Sequence, residues 1–257
     1  MTGATPGEPQ MLTGRVLTPE KMDAPDVDAA ALDEALRFLR LANRTGAGVR
    51  AAMRPLRQWI EEGEQRGVLD DPIQVLDLAT GSADIPLAMV HWAQQTGRRL
   101  HVTAIDNHRT TLDLARRHVA QHPDLAPHIT IAEADARSLT DRYDAGSFDF
   151  CHAGLFLHHL RDMEALTVLR IMQRLGRHGL IWNDLVRSPL AMGIVRSVAW
   201  LTPPIARHDA VVSVQAAFTK KEAMDFARRV DLENIRYRRH LGYRFTLTSR
   251  PDASLAG

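Results

Sequence analysis

Three aspartates stand at the ends of three predicted β-strands, and with these residues the chain would hold a polar ligand. Asp77, Asp106 and Asp135 each close or follow a short apolar run. In an open parallel sheet the carboxyl ends of the strands share one edge, and ligands bind there. A carboxylate at that edge accepts hydrogen bonds from both hydroxyls of a ribose. The pattern predicts a nucleoside site; the alternatives are a helix cap for Asp106 and turn chemistry for Asp135.

Small side chains follow the first of these aspartates, in the sequence Ala-Thr-Gly-Ser-Ala over residues 79–83. They allow a ligand to approach the backbone amides that open the next helix. The spacing matches neither the dinucleotide fingerprint G-x-G-x-x-G nor a phosphate loop ending in G-K-[ST]. Asp84 and Pro86 suit a first helical turn. We therefore expect Ala83 to be the first helical residue, without the positive φ that would strain an alanine.

Candidate proton acceptors lie farther along the chain, at His158, His159, Asp184 and His208. The adjacent pair follows the fourth predicted strand, Asp184 ends the fifth, and His208 lies in a predicted loop at residues 207–209. Histidine has a reference pKa of about 6.5 and suits general-base catalysis near neutral pH. The chain holds 12 histidines, so most have ordinary roles. Adjacent residues on a turn do not both face one pocket, and capping of the following helix is the alternative for the pair.

The elements that must position these residues alternate between short apolar runs and amphipathic helical segments. Five runs are predicted as parallel strands and a further two as a closing antiparallel pair. Such alternation is typical of an α/β fold whose parallel sheet is covered on both faces. The seven runs span residues 73–78, 101–105, 129–132, 148–152, 179–184, 235–240 and 243–248.

Two stretches carry a family resemblance. Residues 76–83 resemble motif I of the class I S-adenosylmethionine-dependent methyltransferases, [VIL]-[DE]-x-G-x-G-x-G, with alanine at the first and third glycine positions. Residues 148–160 are similar to the methyltransferase signature F-D-x7-L-H-H-L. The first alanine and the following pair Asp84 and Ile85 resemble the ubiquinone and menaquinone biosynthesis branch. The resemblance covers roughly residues 70–250 and implies a Rossmann-like, doubly wound α/β fold with a seven-stranded sheet of order 3-2-1-4-5-7-6, strand 7 antiparallel.

The resemblance also implies a cofactor, S-adenosyl-L-methionine, which would leave as S-adenosyl-L-homocysteine. In such a site Asp106 would hold the ribose, Asp135 the adenine amino group, and the amide of Ala136 a ring nitrogen. The candidate bases would border the point where the methyl group emerges. We expect no metal, because the spacing of Asn183, Asp184 and Asp209 is not diagnostic of a magnesium site. The residues implied in cofactor binding are Asp77, Ala79, Thr80, Gly81, Ser82, Asp106, Asn107, Asp135, Ala136, His152 and Ala153.

The apolar segment at residues 189–201 bears on the acceptor. We expect it to wall a hydrophobic pocket, with a peripheral membrane contact or a dimer face as alternatives. With the resemblance, this predicts methyl transfer to a small, rather apolar acceptor of phenolic, quinol or polyketide-like type, at oxygen. A protein that binds the cofactor without transferring a methyl group is the alternative function. The absence of G-x-G-x-x-G and the closing antiparallel pair argue against a Rossmann oxidoreductase.

Composition and domain organisation complete the expectations. The 257 residues carry a formal net charge of +1, one cysteine and no apolar run of membrane-spanning length, so we expect a cytoplasmic protein without a nucleic-acid partner, either monomer or homodimer. Residues 1–27 are predicted as a flexible arm whose last part docks. Residues 28–69 are predicted as two helices, which either cover the pocket as a lid or pack at the sheet edge. The methyltransferase domain is expected at residues 70–250, with an inserted helix at about residues 188–204.

Overall fold

A seven-stranded mixed sheet forms the centre of the protein in a computed structural model that describes residues 14–251. The strand order is β3-β2-β1-β4-β5-β7-β6, and β7 runs antiparallel to both of its neighbours. The predicted fold class and strand order are confirmed. The strands are β1 Ile73–Leu78, β2 Leu100–Asp106, β3 Ile129–Glu133, β4 Phe148–Gly154, β5 Gly176–Leu185, β6 Arg236–His240 and β7 Arg244–Ser249.

Eight α-helices lie in the described part of the chain, and single 3₁₀ turns at Lys21–Asp23 and Leu157–His159 matter for the site. The helices are α1 Ala29–Thr45, α2 Gly48–Arg66, α3 Asp84–Gln95, α4 Arg109–Ala120, α5 Asp162–Leu175, α6 Pro189–Val198, α7 Pro204–Ala216 and α8 Lys220–Arg229. Among them, none combines the length and the apolar character needed to cross a membrane.

The sheet is covered on both faces because side chains alternate along each strand. In β1, Ile73 and Val75 join the apolar cluster beneath α2 and α3, whereas Leu76 and Leu78 join the cluster beneath α5 and α8. Strand β1 is buried along nearly its whole length, as expected for a central parallel strand. The carboxyl ends of β1 to β5 are thereby fixed side by side at one edge.

The two N-terminal helices have different positions. Asp28 caps α1 by accepting a hydrogen bond from the amide of Ala31 at 2.8 Å, and the inner face of α1 lies over the edge of the sheet where the strand ends meet. Helix α2 packs against the sheet itself, with Trp59 stacked on Phe150 at a ring-centroid distance of 5.8 Å. Helix α1 therefore lies over the cavity edge, whereas α2 is part of the core.

Among the described side chains of residues 189–201, none lines the cavity that opens at the strand ends, so the expectation that this segment walls the pocket is wrong. Ala191 and Met192 of α6 are buried, but they pack against Val214 of α7 and close a separate small cluster. Trp200, which follows α6, is 74% exposed. The predicted loop at residues 207–209 is also wrong, because these residues lie inside α7, whose first residue is Pro204. Proline suits the first helical position, where its missing amide hydrogen costs nothing.

The segment before α1 lies against the body of the protein from residue 14 onward, while residues 1–13 of the predicted arm fall outside the described residues. Arg15 donates hydrogen bonds to the carbonyl oxygens of Ala216 at 2.8 Å and Leu160 at 2.9 Å. The amides of Lys21 and Met22 donate to the carboxylate of Asp209 on α7, at 2.9 and 3.0 Å. These contacts bring the residues of this segment to the turn that carries the histidine pair.

Candidate active site

A cavity of about 360 Å³ opens at the carboxyl ends of β1 to β5, beneath α1. Ten of the eleven residues predicted to bind a cofactor line it. The exception is Ala153, which is fully buried inside β4 between His152 and Gly154, both of which face the cavity. The size falls within the usual range for small-molecule sites, about 300–1,000 Å³.

The loop after β1 is built from left-handed residues. Ala79, Gly81 and Ala83 have φ angles of +51°, +56° and +57°, so the expectation that Ala83 is a helical residue is wrong. Ala83 is instead the N-cap of α3, and its amide donates to the carbonyl oxygen of Thr80 at 3.0 Å. Each alanine costs about 1–2 kcal/mol in this region. A Cβ at Gly81 would meet nothing within 4 Å, so this glycine serves the backbone conformation rather than space.

Asp77 and His152 form a buried pair on the floor of the cavity. The His152 Nδ1 lies 2.5 Å from Asp77 Oδ1, and the hydroxyl of Thr80 donates to Asp77 Oδ2 at 2.7 Å. A proton on Nδ1 leaves Nε2 as the acceptor nitrogen of the ring. This Nε2 is buried without a hydrogen-bond partner among the described residues. A buried polar atom in that state is expected where a ligand supplies the missing contact.

Asp106 holds the loop and remains open to the cavity. Its Oδ2 accepts from the amide of Gly81 at 3.0 Å and its Oδ1 from the amide of His108 at 3.0 Å. Burial raises the pKa of this carboxyl. Helix α4 is capped by the His108 side chain, which accepts from the amide of Thr111, so the helix-cap alternative for Asp106 is wrong. Each carboxylate oxygen retains a second lone pair for a hydroxyl.

Asp135 is paired with an arginine two residues away. Arg137 donates to both Asp135 oxygens, the shortest contact being 2.7 Å, and also to Glu164 at 2.7 Å. This hydrogen bonding lowers the pKa of the Asp135 carboxyl. The amide of Arg137 donates to Asp135 Oδ1 at 2.8 Å. Asp135 therefore also stabilises the turn after β3, which was the alternative role predicted for it. A ligand that uses this carboxylate must share it with the guanidinium.

A chain of polar side chains in the cavity lining, formed by Asn43, Asp84 and Arg244, was not predicted from the sequence. The Asn43 side chain on α1 donates to Asp84 at 3.0 Å and accepts from Arg244 at 3.0 Å, and all three residues line the cavity. Burial raises the pKa of the Asp84 carboxyl. Asn43 had a detectable signal, since it is a polar residue on the apolar face of a predicted helix. Arg244 on β7 had none, because its place depends on the closing antiparallel strand.

Three of the four candidate bases lie away from the cavity lining. His158 and Asp184 are buried together, with Nδ1 and Oδ1 2.6 Å apart. Burial lowers the pKa of His158, but the carboxylates of Asp184 and Glu20 outweigh it and raise the pKa to about 10. His208 points to Asp209 on α7, at 2.8 Å. None of these three side chains belongs to the described lining of the cavity.

His159 is the candidate base that lines the cavity. Its Nδ1 lies 2.9 Å from Asp23 Oδ2, and its ring lies against that of His158 with centroids 4.2 Å apart. Glu20 reaches both rings, with Oε1 3.4 Å from His158 Nε2 and 3.9 Å from His159 Nε2. Sequence reasoning missed Glu20 and Asp23, because they belong to a segment without periodic pattern that only long-range contacts bring here.

Comparison with known proteins agrees with this architecture. Residues 75–179 match the family model described as methyltransferase domain. No curated protein matches the chain significantly. The solved structures of three methyltransferases or methyltransferase domains are similar to this chain, each with less than 20% sequence identity.

The plantazolicin methyltransferase, solved with a desmethylplantazolicin analogue and S-adenosylhomocysteine, is 13% identical, with a TM-score of 0.57 over 79% of this chain and 70% of that one. Magnesium protoporphyrin IX methyltransferase from Synechocystis PCC 6803, also with bound S-adenosylhomocysteine, is 13% identical, with a TM-score of 0.51 over 78% and 83%. The citrinin polyketide synthase CMeT domain is 12% identical, with a TM-score of 0.53 over 70% of this chain and 46% of that one. This chain therefore spans less than half of the last structure. The likenesses show the class I methyltransferase fold.

Proposed function

We propose that this chain, which contains a methyltransferase domain in the class I S-adenosylmethionine-dependent methyltransferase fold, binds S-adenosylmethionine and transfers its methyl group to a hydroxyl oxygen of a small, apolar acceptor. One observation carries the proposal. The lining of one cavity combines the residues predicted for the cofactor with apolar side chains and His159. A location in the cytoplasm and the quinone-biosynthesis branch remain predictions.

The cofactor half follows from the polar groups of the strand ends. Asp106 would take the two ribose hydroxyls, since both of its oxygens keep free lone pairs beside the loop amides. Asp135 and the amide of Ala136 would bind the adenine edge. The chain of Asp84, Asn43 and Arg244 presents a carboxylate and a guanidinium on one wall. Such a pair complements the amino and carboxylate groups of the cofactor's methionine part.

The acceptor half follows from the apolar lining. Leu32, Leu36 and Leu39 of α1 face the cavity, and Phe156 and Leu160 flank the histidine turn. Such a lining favours an apolar ring or chain over a sugar or nucleotide. The three similar structures are a domain of the citrinin polyketide synthase, a methyltransferase solved with a desmethylplantazolicin analogue, and a magnesium protoporphyrin IX methyltransferase. We therefore favour a phenolic, quinol or polyketide-like acceptor.

Methyl transfer is an in-line displacement, in which the protein aligns the two reactants and removes one proton. The acceptor oxygen forms a bond to the methyl carbon as the carbon–sulfur bond breaks, and the sulfonium becomes a neutral thioether. The hydroxyl proton leaves to a base. His159 suits that role, because Asp23 holds its Nδ1 and leaves Nε2 as the free acceptor. Glu20 lies close to the Nε2 atoms of both His158 and His159.

Two measurements test the proposal. Calorimetry with S-adenosylhomocysteine measures binding, and transfer of a labelled methyl group to a panel of alkylphenols, hydroquinones and hydroxylated polyketides measures the reaction. We expect binding at one site and methyl transfer to at least one phenolic compound. Binding without transfer to any panel member would support the alternative function, a cofactor-binding protein that does not methylate. No binding of S-adenosylhomocysteine would overturn both.

A further inference from the structure

The group formed by Glu20, His158 and His159, here called the Glu–His–His cluster, has the arrangement of a metal site. One donor atom from each residue lies within 4.8 Å of the others. Glu20 Oε1 is 3.4 Å from His158 Nε2 and 3.9 Å from His159 Nε2. Donors at about 2.0–2.1 Å from a tetrahedral ion stand about 3.3 Å apart. The contact of Glu20 with His158 is already near that separation, and His159 would have to move closer to both.

Each histidine of the cluster is held by a carboxylate on its other nitrogen. His158 Nδ1 lies 2.6 Å from Asp184 Oδ1, and His159 Nδ1 lies 2.9 Å from Asp23 Oδ2. A histidine that binds a metal ion commonly donates its second ring hydrogen to a carboxylate, which fixes the ring and raises its basicity. Both Nε2 atoms are therefore left for a common ligand. The hydroxyl of Ser213 donates to Glu20 Oε1, the oxygen that faces the two imidazoles, and so holds it in place.

The unsatisfied atom and the charge balance also point to a cation. His158 Nε2 is buried, and its contact with Glu20 lacks the geometry of a hydrogen bond, so it has no such partner among the described residues. Two buried carboxylates, Glu20 and Asp184, lie beside the two imidazoles, and the exposed Asp23 contacts His159 from the outside. The guanidinium of Arg15 contacts Asp162 and the carbonyl oxygens of the turn rather than these carboxylates. A divalent ion that replaces the proton on His158 Nε2 would offset this negative charge.

We infer that the Glu–His–His cluster binds a divalent transition-metal ion, with Zn²⁺ as the ion that two imidazole nitrogens and one carboxylate oxygen suit best. The same three ligand types serve catalytic zinc sites that keep a fourth position open. Ferrous iron takes a related set of two histidines and one carboxylate. The open position would face the cavity, because His159 and Asp23 line it while His158 is buried behind them.

The inference deepens the proposed function and rests on it for the reaction step. An ion at this place would bind the acceptor oxygen and stabilise it as an oxyanion, so the hydroxyl proton is released to water before the methyl group moves. The new oxygen–carbon bond then forms as the carbon–sulfur bond breaks. His159 would in that case hold the ion rather than take the proton. The two roles use the same residues and differ in their requirement for metal.

The binding test uses the full chain, stripped with a chelator and titrated separately with Zn²⁺, Fe²⁺ and Mn²⁺ under conditions that keep iron reduced. We expect one equivalent of Zn²⁺ by calorimetry and by elemental analysis, with Mn²⁺ binding at least tenfold more weakly. Glu20→Gln and His159→Gln should each weaken Zn²⁺ binding by about 100-fold. His101→Gln is the control, since His101 contacts Thr130 at the amino-terminal ends of β2 and β3, away from the cavity. Thermal unfolding checks that every variant is folded.

A spectroscopic readout separates a built site from adventitious binding. Co²⁺ in the stripped protein should give visible absorption typical of four or five ligands, and Glu20→Gln should abolish that spectrum. Absence of stoichiometric Zn²⁺ binding, or equal affinity in the wild type and both cluster variants, overturns the inference. Methyl transfer at full rate after chelation overturns the metal's part in the reaction while the proposed function stands. Metal binding with no S-adenosylhomocysteine binding overturns the proposed function alone.

Discussion

The cavity has two halves that are assembled in different ways. In the cofactor half, the loop after β1 is held by contacts close in sequence, Thr80 to Asp77 across 3 positions and Gly81 to Asp106 across 25. Among the described contacts of this half, only that of Arg244 with Asn43 spans as many as 201 positions. In the acceptor half, Asp23 meets His159 across 136 positions and Glu20 meets Ser213 across 193. A strand-end motif therefore builds the loop after β1, which is the centre of the first half, within one stretch of the sheet. The second half exists only when the segment before α1 docks on α7, so it is the part in which acceptor specificity can vary.

The largest effect that separates the halves is expected from His159→Gln. This change removes the imidazole that lines the cavity while keeping a polar side chain of similar length. Turnover should fall by about 100-fold to 10,000-fold, because neither a base nor a metal ligand remains at the acceptor. Affinity for S-adenosylhomocysteine should not change, since the cofactor groups lie on other strands. Steady-state transfer and calorimetry on the same sample measure both quantities.

His101→Gln is the matched control, an ordinary histidine outside the cavity. If His159→Gln keeps turnover within a few fold of the wild type, positioning alone drives the reaction. A parallel loss of cofactor affinity would show that the two halves are not separable at this residue.

The converse change is Asp106→Ala in the cofactor half. Losing a charge-assisted contact to two hydroxyls should weaken S-adenosylhomocysteine binding by about 1.5–3 kcal/mol, roughly tenfold to 100-fold. Asp113→Ala is the control, because Asp113 is an exposed carboxylate on α4 that pairs with Arg116. Calorimetry measures the dissociation constants. Unchanged affinity in a folded Asp106→Ala protein would remove this residue from the ribose site.

A smaller effect on cofactor affinity is expected at Asp135, whose carboxylate is paired with Arg137. Arg137→Ala would free Asp135 from an exposed ion pair, and such pairs are worth up to about 1 kcal/mol, so cofactor affinity should rise by up to about fivefold. Arg161→Ala is the control, since Arg161 pairs with Glu164, as Arg137 does, but not with Asp135. Weaker binding in Arg137→Ala would mean that the guanidinium itself contacts the cofactor.

The two halves also explain what the sequence allowed to be predicted. The positions of the strands and the acids at their ends follow from local patterns: apolar runs, an acid at each strand end and small residues after β1. The strand order and the assignment of these residues to a cofactor came from the family resemblance. The acceptor half does not follow, because Glu20 lies in a segment without periodicity and becomes significant only beside His158. Helix α7 was missed because its apolar residues are spread around the helix, and the exposed residues after α6 were wrongly placed on the pocket. The backbone conformation of Ala83 was also predicted wrongly, because its positive φ is set by the loop as a whole.

The smallest effect concerns that loop and the two alanines that occupy glycine positions. Replacing Ala83 by glycine relieves a left-handed alanine, worth about 1 kcal/mol or somewhat more, but glycine also gives the unfolded chain more freedom, which costs about 0.4–1 kcal/mol. The two terms nearly cancel, so the free energy of unfolding should change by less than about 1 kcal/mol. The matched control is Ala88→Gly, inside α3, where no strain exists to relieve and glycine should cost about 1 kcal/mol. Urea unfolding of the wild type and both variants measures the difference. Equal losses at the two positions would mean that Ala83 is not strained, and the left-handed loop described above would then be wrong.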